Sequence, residues 1–206
     1  GILDQPNNRK IHENPTVRIG GLSIFLGLFS TSFIGLIFKN ISGFENFDNG
    51  NYLILLFGGF LFFILGFLDD LINLSPILRL NLQFIISIIL WISGLKINGI
   101  SFSIFKNQIY YFPFPGWLGL IITCFFIVAV INALNWMDGL DGLAAGISII
   151  FFTSITFLDN NSIFLITSSI GSLFAFLIFN VKGSTIMMGD GGSYLLGFLI
   201  AASSII

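Results

Sequence analysis

The chain has 206 residues, of which 55% are hydrophobic and only 9% are charged, with a formal net charge of −2 and a mean hydropathy of +0.99. Soluble domains carry about 25% charged residues, so the composition excludes an ordinary soluble domain, a disordered chain and a nucleic-acid-binding protein with a basic face. A single cysteine and a single histidine also exclude a disulfide framework and a Cys/His zinc cluster.

Seven charge-free apolar runs follow one another along the chain and predict membrane-spanning helices, which need about 20 residues each. These runs are 19–38, 52–68, 80–95, 116–134, 143–158, 162–181 and 191–206. The third helix is expected to begin earlier, at Pro76, because Ser75 is a good N-cap and proline is favoured in the first helical position. The sequence therefore predicts an all-α, polytopic transmembrane helical bundle of about seven spans. We expect residues 1–206 to form a single integral-membrane domain that is truncated at both ends.

The predicted spans sort the connecting segments onto two faces of the membrane. One face holds residues 1–18, 69–79, 135–142 and 182–190. This face carries five of the eight lysines and arginines and seven of the ten acidic residues. Because basic residues are enriched in cytoplasmic loops, we expect a multi-pass protein of the cell membrane with its site on the cytoplasmic side.

Acidic residues on that face occupy positions that helix stability alone does not favour. Asp69 and Asp70 end an apolar run, and Asp138 follows another; the helix dipole disfavours a carboxylate there by about 0.3–1 kcal/mol. Asp141 and Asp190 precede apolar runs, where aspartate is also an ordinary N-cap. Oxygen ligands without histidine or cysteine suit Mg²⁺ or Mn²⁺. The cluster therefore predicts metal-assisted phosphate chemistry, although each acid is also explained as a solvated boundary residue.

Two asparagines extend the acidic pattern into the preceding apolar run. Asn132 and Asn135 stand at three-residue spacing from Asp138 and Asp141, which places all four along one stripe if the stretch is helical as far as Asp141. Asparagines that join neighbouring helices need no further role, so both interpretations stay open. Basic residues that suit phosphate lie on the same face, where each is equally explained as a topology anchor. They are Arg9, Lys10, Arg18, Arg79 and Lys182.

Four motifs resemble those of the polyprenyl-phosphate sugar-1-phosphate transferases, glycosyltransferase family 4. The central stretch 132–144, NALNWMDGLDGLA, resembles the family signature NxxNxxDGxDGLA. The Asp69-Asp70 pair resembles the family's aspartate pair, and the stretch 188–193, MGDGGS, resembles its GDxGS motif. The stretch 4–12, DQPNNRKIH, followed by two glycines, resembles the first cytoplasmic loop. The four motifs occur in the family's order and span nearly the whole chain.

The resemblance implies a membrane enzyme that transfers a sugar-1-phosphate from a UDP-sugar to undecaprenyl phosphate, releases UMP and requires Mg²⁺ or Mn²⁺. The stretch 14–21, NPTVRIGG, lacks the GTPTMGG-like run of the MurNAc-pentapeptide branch and resembles the N-acetylglucosamine-1-phosphate branch. Asn73 stands where that branch often has a third aspartate. The family's histidine-rich loop, which helps to recognise the nucleotide sugar, would follow residue 206. No nucleic-acid partner is expected, and a homodimer is kept open.

The resemblance also assigns expected roles to individual residues. Asp69 and Asp70 are the expected catalytic residues, and Asp190 with Asn135 are the expected metal ligands. The expected substrate-binding residues are Asn132, Asn135, Asp138, Asp141, Arg9, Lys10, His12 and Arg79.

Three other functions are alternatives to this one. A cation- or proton-coupled membrane transporter is the main alternative, because acids inside membranes line ion paths. Every aspartate and glutamate lies outside the charge-free runs, which disfavours it. A CDP-alcohol phosphotransferase needs an arginine after DGxxA, where this chain has Gly146. A purely structural subunit does not explain four motif-bearing loops.

Overall fold

A computed structural model describes residues 3–4, 16–37, 50–105, 108–157, 163–181 and 186–206. This part of the chain forms seven α-helices and two small antiparallel sheets. The helices are α1 (Gly20–Ile37), α2 (Gly50–Ile72), α3 (Pro76–Ile92), α4 (Gly116–Met137), α5 (Leu143–Thr156), α6 (Ile163–Asn180) and α7 (Gly189–Ile205). The strands are β1 (Leu3–Asp4), β2 (Thr16–Val17), β3 (Gly99–Phe105) and β4 (Gln108–Pro113).

The helices confirm the predicted all-α membrane protein. Two of them, α2 with 23 residues and α4 with 22, are long and apolar enough to cross a bilayer by length and composition. The exposed side of α2 carries apolar side chains at helical spacing, as expected for a lipid-facing surface. These are Leu53, Phe57, Phe60, Ile64 and Leu68. The number of seven spans stays a prediction, because the other helices are shorter.

Helix α7 lies at the centre of the bundle. It contacts α1, α2, α4 and α5, while α3 contacts α2 and α4, and α6 contacts α1 and α5. Residues 191–199 of α7 are all buried. A Cβ added to Gly66 of α2 would collide with the carbonyl oxygen of Asp190, and one added to Gly21 of α1 would collide with the amide nitrogen of Gly192. Small residues therefore let three backbones approach closely around the first turn of α7.

The start of α3 agrees with the sequence prediction. The Ser75 hydroxyl accepts a hydrogen bond from the backbone amide of Leu78 at 3.4 Å, and Pro76 is the first helical residue. The connection between α3 and α4 forms a β-hairpin of β3 and β4, which the pattern of apolar runs did not predict.

The end of α4 limits the polar stripe that the sequence predicted. Asn132 and Asn135 lie on the helix, which ends at Met137 with Asp138 as its C-cap. Residues 138–142 form a turn that ends at Gly142, whose φ of +74° is readily adopted only by glycine. The assumption that the helix continues to Asp141 is therefore wrong.

Candidate active site

The carboxylate of Asp69 is held by three hydrogen-bond donors at the end of α2. Nη1 of Arg79 lies 3.0 Å from its Oδ2, and the backbone amide of Leu74 donates to its Oδ1 at 2.9 Å. The hydroxyl of Tyr194 donates to Oδ2 at 3.3 Å. The Asp69 side chain is only 4% exposed. A charged guanidinium and a backbone N–H offset the unfavourable helix dipole, which explains how a buried carboxylate is tolerated at this helix end.

The carboxylate of Asp70 caps the first turn of α7, a helix 120 residues further along the chain. Its Oδ1 accepts a hydrogen bond from the backbone amide of Asp190 at 3.0 Å, and its Oδ2 accepts one from Gly191 at 2.9 Å. A carboxylate satisfies the otherwise unpaired N–H groups at a helix start and is favoured by the dipole there. A Cβ at Gly189 would lie 2.8 Å from Oδ2 of Asp70. The cap therefore requires a glycine before Asp190.

The side chain of Asp190 is oriented by Asn135 of α4. The Asn135 side-chain amide donates to Oδ1 of Asp190 at 2.5 Å and to the hydroxyl of Ser193 at 2.9 Å. The two residues expected to bind the metal are therefore in direct contact. Because the amide nitrogen of Asn135 is used, its carbonyl oxygen is the atom that suits a cation.

A groove of about 550 Å³ lies elsewhere, between α1 and α6, but two of the acidic residues, Asp138 and Asp190, line a smaller cavity of about 170 Å³. This acidic cavity is lined by Arg18, Asn135, Asp138, Gly139, Met187, Gly189 and Asp190. Burial raises the pKa of Asp138 to about 8, and the nearby carboxylates of Asp190 and Asp70 add to the shift. A hydrogen bond from the backbone of Gly189 and the charge of Arg18 oppose the rise in pKa.

The donor set of the acidic cavity suits a hard divalent cation that is shared with a ligand. Within the described ranges, no group of three His, Cys, Asp or Glu side chains is arranged to hold a metal by itself. Mg²⁺ typically takes one or two carboxylates and completes its shell with water and phosphate oxygens. Asp138 and Asp190 supply two carboxylates on one cavity. A bound cation would offset the repulsion between these two carboxylates and favour the deprotonated form of Asp138.

Asn132 lies outside the acidic cavity. Its side-chain amide donates to Oε1 of Gln83 in α3 and to the carbonyl oxygen of Val128, both at 2.7 Å. It therefore joins α3 to α4, in agreement with the interhelical interpretation.

Asn132 also lines an apolar groove of about 550 Å³ between α3 and α4. Arg79, whose guanidinium binds Asp69, lines the same groove. The groove therefore connects an apolar surface of the bundle to a cation next to the aspartate pair.

Asp141 is exposed in the turn after α4. The turn itself is held by buried Asn180, whose Oδ1 accepts from the backbone amide of Gly142 at 2.6 Å. The side-chain amide of Asn180 donates to the carbonyl oxygen of Ile186 at 2.9 Å. The turn that carries Asp141 is thus tied to the segment that leads into α7.

Some predicted residues fall outside the described part of the chain, and some residues of the site were not predicted. Arg9, Lys10, His12 and Lys182 lie outside the described residues. Arg18, which the sequence indicates only as a basic residue that suits phosphate, lines the acidic cavity. Ser193 is the last residue of the 188–193 motif and Tyr194 follows it, so the motif could have indicated both. Gln83 and Asn180 carry no sequence signal, because their partners are distant in the chain.

Fold and site together define a helical membrane protein with an acidic, cation-suited cavity at one end of its bundle and an apolar groove beside it. A match to the family described as Glycosyl transferase family 4 covers residues 52–206. The chain belongs to this family, and the resemblance drawn from its motifs is confirmed.

Curated relatives agree with the family. The chain is 33% identical to a "Probable undecaprenyl-phosphate N-acetylglucosaminyl 1-phosphate transferase" of Bacillus subtilis, over 100% of this chain and 55% of that protein. It is 32% identical to an "Undecaprenyl-phosphate alpha-N-acetylglucosaminyl 1-phosphate transferase" of Thermotoga maritima, over 100% of this chain and 57% of that protein. It is 30% identical to a "Phospho-N-acetylmuramoyl-pentapeptide-transferase" of Streptococcus mutans, over 98% of this chain and 65% of that protein. The chain spans about half the length of the first two relatives.

Proposed function

We propose that the protein transfers a sugar-1-phosphate, GlcNAc-1-phosphate or a related one, from a UDP-sugar to undecaprenyl phosphate at the cytoplasmic face of the cell membrane. The products are a polyprenyl-diphospho-sugar and UMP. The observation that carries the proposal is the acidic cavity of Asp138 and Asp190, with Arg18 in its wall. The names of the Bacillus subtilis and Thermotoga maritima relatives support the acceptor and the sugar.

A Mg²⁺ ion held by Asp190 and the carbonyl oxygen of Asn135, with Asp138 in the same cavity, would neutralise charge on the diphosphate. Mn²⁺ has the same preference for oxygen ligands. Arg18 would bind a diphosphate oxygen from the cavity wall, and Asp141 would contact the uridine side from its exposed turn.

The acceptor phosphate needs positioning more than it needs a base. A phosphate monoester has a second pKa near 6 and is already an oxyanion at neutral pH, so alignment and charge neutralisation dominate the chemistry. We assign the binding of this phosphate to Arg79. Asp69 orients the guanidinium at 3.0 Å, and the groove between α3 and α4 receives the prenyl chain.

The contacts of the aspartate pair favour direct displacement. An oxygen of the lipid phosphate attacks the sugar-bearing phosphorus, and the bond from that phosphorus to UMP breaks. A route through an aspartyl-phosphate needs a carboxylate oxygen that faces the reacting phosphorus. Asp70 contacts the backbone of α7 and Asp69 contacts Arg79 and the backbone of Leu74, and neither residue lines the acidic cavity.

The transporter alternative receives no support from the placement of the acids. It predicts carboxylates near the middle of a span. The acidic side chains that the structure describes lie at helix ends or in turns: Asp69, Asp70, Asp138, Asp141 and Asp190.

The test is UMP release from UDP-GlcNAc by the full-length protein in detergent with undecaprenyl phosphate. We expect turnover to stop with EDTA, to return with Mg²⁺, and to be lost in Asp190→Asn. Turnover that is indifferent to EDTA would remove the metal from the proposal. Absence of UMP release with any UDP-sugar, together with substrate flux into proteoliposomes, would instead support a transporter.

A further inference from the structure

The hairpin of β3 and β4 lies at the end of the bundle opposite the acidic cavity. Helix α3 begins near Arg79 and Asp69 and runs away from them, ending at Ile92. Helix α4 begins at Gly116 and returns to Asn135 and Asp138. The hairpin connects the two distant ends of these helices, so it has no contact with the proposed chemistry.

The base of the hairpin is fixed against the first two turns of α4. The backbone amide of Ile97 donates to the Thr123 hydroxyl at 3.0 Å, and the amide of Phe114 donates to the carbonyl oxygen of Asn98 at 2.8 Å. At 1.5 Å of rise per residue, Thr123 lies roughly 10 Å into α4 from its first residue. Because α4 is long and apolar enough to span a bilayer and β4 ends only two residues before α4 begins, the end of β4 lies at the membrane boundary.

One face of the hairpin is apolar and exposed. Cross-strand partners share a face, and successive residues alternate between faces. The register pairs Ile100 with Phe112 and Phe102 with Tyr110. These four residues, which we call the aromatic face, are 46% to 62% exposed. The rings of Phe102 and Tyr110 stack at 5.9 Å between centroids.

The opposite face differs in composition. It carries the pairs Gly99 with Pro113, Ser101 with Tyr111 and Ser103 with Ile109, and Tyr111 is 58% exposed. The two faces differ most along β3, where the aromatic face has isoleucine and phenylalanine and the opposite face has glycine and serine. A two-stranded hairpin is marginally stable by itself in water, and a contiguous exposed apolar patch marks an interaction surface.

Neighbouring side chains indicate that the partner is lipid. Trp117, in the first turn of α4, is also exposed, and the ammonium group of Lys96 lies 4.5 Å from the ring centroid of Trp91 at the end of α3. Tryptophan, tyrosine and lysine at helix ends are typical of the membrane–water interface, where rings sit at headgroup level. The aromatic face continues this belt from the two helices that flank it.

We propose that the hairpin lies along the membrane surface opposite the acidic cavity, with its aromatic face inserted at the boundary between lipid headgroups and acyl chains. The hairpin thereby anchors the end of α3 and the start of α4, which lie away from the acidic cavity. These two helices form the apolar groove. The inference rests on the register and exposure of the hairpin, and does not depend on the proposed transferase activity.

The test compares two adjacent tyrosines on opposite faces. Tyr110→Cys and Tyr111→Cys are each made in full-length protein in which Cys124 and any cysteine outside residues 1–206 are replaced by alanine. Each variant is labelled with an environment-sensitive fluorophore and placed in nanodiscs with one protein per disc. We expect nitroxide lipids labelled near the headgroup end of the acyl chain to quench the label at 110 several-fold more than the label at 111. Aqueous iodide should show the reverse preference.

The pair Phe102→Cys and Ser101→Cys repeats the comparison on the other strand. It keeps the test decisive if one tyrosine variant fails to fold, as judged by size-exclusion chromatography. Equal quenching of the two faces by lipid would overturn the proposed orientation. Strong iodide quenching on the aromatic face would overturn lipid contact, and protection of that face from both quenchers would indicate a protein partner instead.

Discussion

Asp70 illustrates how a single carboxylate sets the geometry of the site without facing its cavity. Its two oxygens accept the backbone amides of Asp190 and Gly191, so it holds the residue that we propose as the metal ligand. We therefore regard Asp70 as a positioning residue, whereas the motif alone indicated a catalytic one.

Asp70→Asn is expected to lower both stability and metal affinity. The amide presents a donor to two backbone donors, and a buried unsatisfied polar group costs about 1–3 kcal/mol. The measurements are the unfolding midpoint in detergent and the Mg²⁺ concentration for half-maximal turnover, which should rise. Ser204→Ala, an exposed change at the other end of α7, should leave both unchanged. Lost turnover with an unchanged midpoint would point to a direct chemical role.

Asp138 is expected to make stability depend on pH when no divalent cation is bound. Its pKa of about 8 in the folded protein lies above the usual value of about 3.9, so folding favours the protonated form. The stabilisation present at low pH is therefore lost as pH rises from about 4 through about 8. Unfolding midpoints with EDTA should fall over this range, and the fall should flatten in Asp138→Asn. An equally steep fall in the variant would exclude Asp138 as its source.

At the scale of elements, the packing of α7 against α2 and α1 decides where the site stands. Gly66 and Gly21 permit backbone contact with the residues that follow Met188, and Phe62 of α2 stacks on Phe198 of α7 at 5.2 Å between ring centroids. The acidic cavity is thus formed by helix ends whose separation is set by glycines.

Gly66→Ala is expected to destabilise the protein and to reduce turnover. The added Cβ collides with the carbonyl of Asp190, and overpacking of this kind costs about 1–3 kcal/mol. Gly146→Ala in α5 is the matched control, because nothing lies within 4 Å of its added Cβ and alanine is the better helix former. Thermal unfolding in detergent should separate the two variants; equal midpoints would show that α7 shifts without cost.

At the scale of the whole molecule, two grooves of about 550 Å³ each open on the bundle. Only the groove between α3 and α4 contains Arg79. The groove between α1 and α6 is lined by hydroxyl groups that bond to carbonyls of their own helices, such as Ser23 and Ser172. The groove between α3 and α4 is therefore the proposed path for the prenyl chain.

Ala133→Trp is expected to raise the KM for undecaprenyl phosphate, because the indole fills the groove between α3 and α4. The KM for the UDP-sugar should change little, since the acidic cavity is lined by other residues. Ala175→Trp places the same side chain in the groove between α1 and α6 and should leave both constants unchanged. Equal effects of the two variants on the lipid KM would contradict the assignment of the groove.

Composition and local patterns by themselves determined the apolar helical architecture, the start of α3 at Pro76 and the family, since these depend on residues that are neighbours in the sequence. The same patterns assigned Asn132 and Asn135 to one stripe. Only the tertiary structure gave the two asparagines different contacts, because Asn132 donates to Gln83 and Asn135 donates to Asp190. These partners are 49 and 55 residues away in the sequence, and no local pattern specifies such contacts. The contacts of Asp70 with α7 and the aromatic face of the hairpin were likewise decided by packing and strand register, which arise only when distant segments meet.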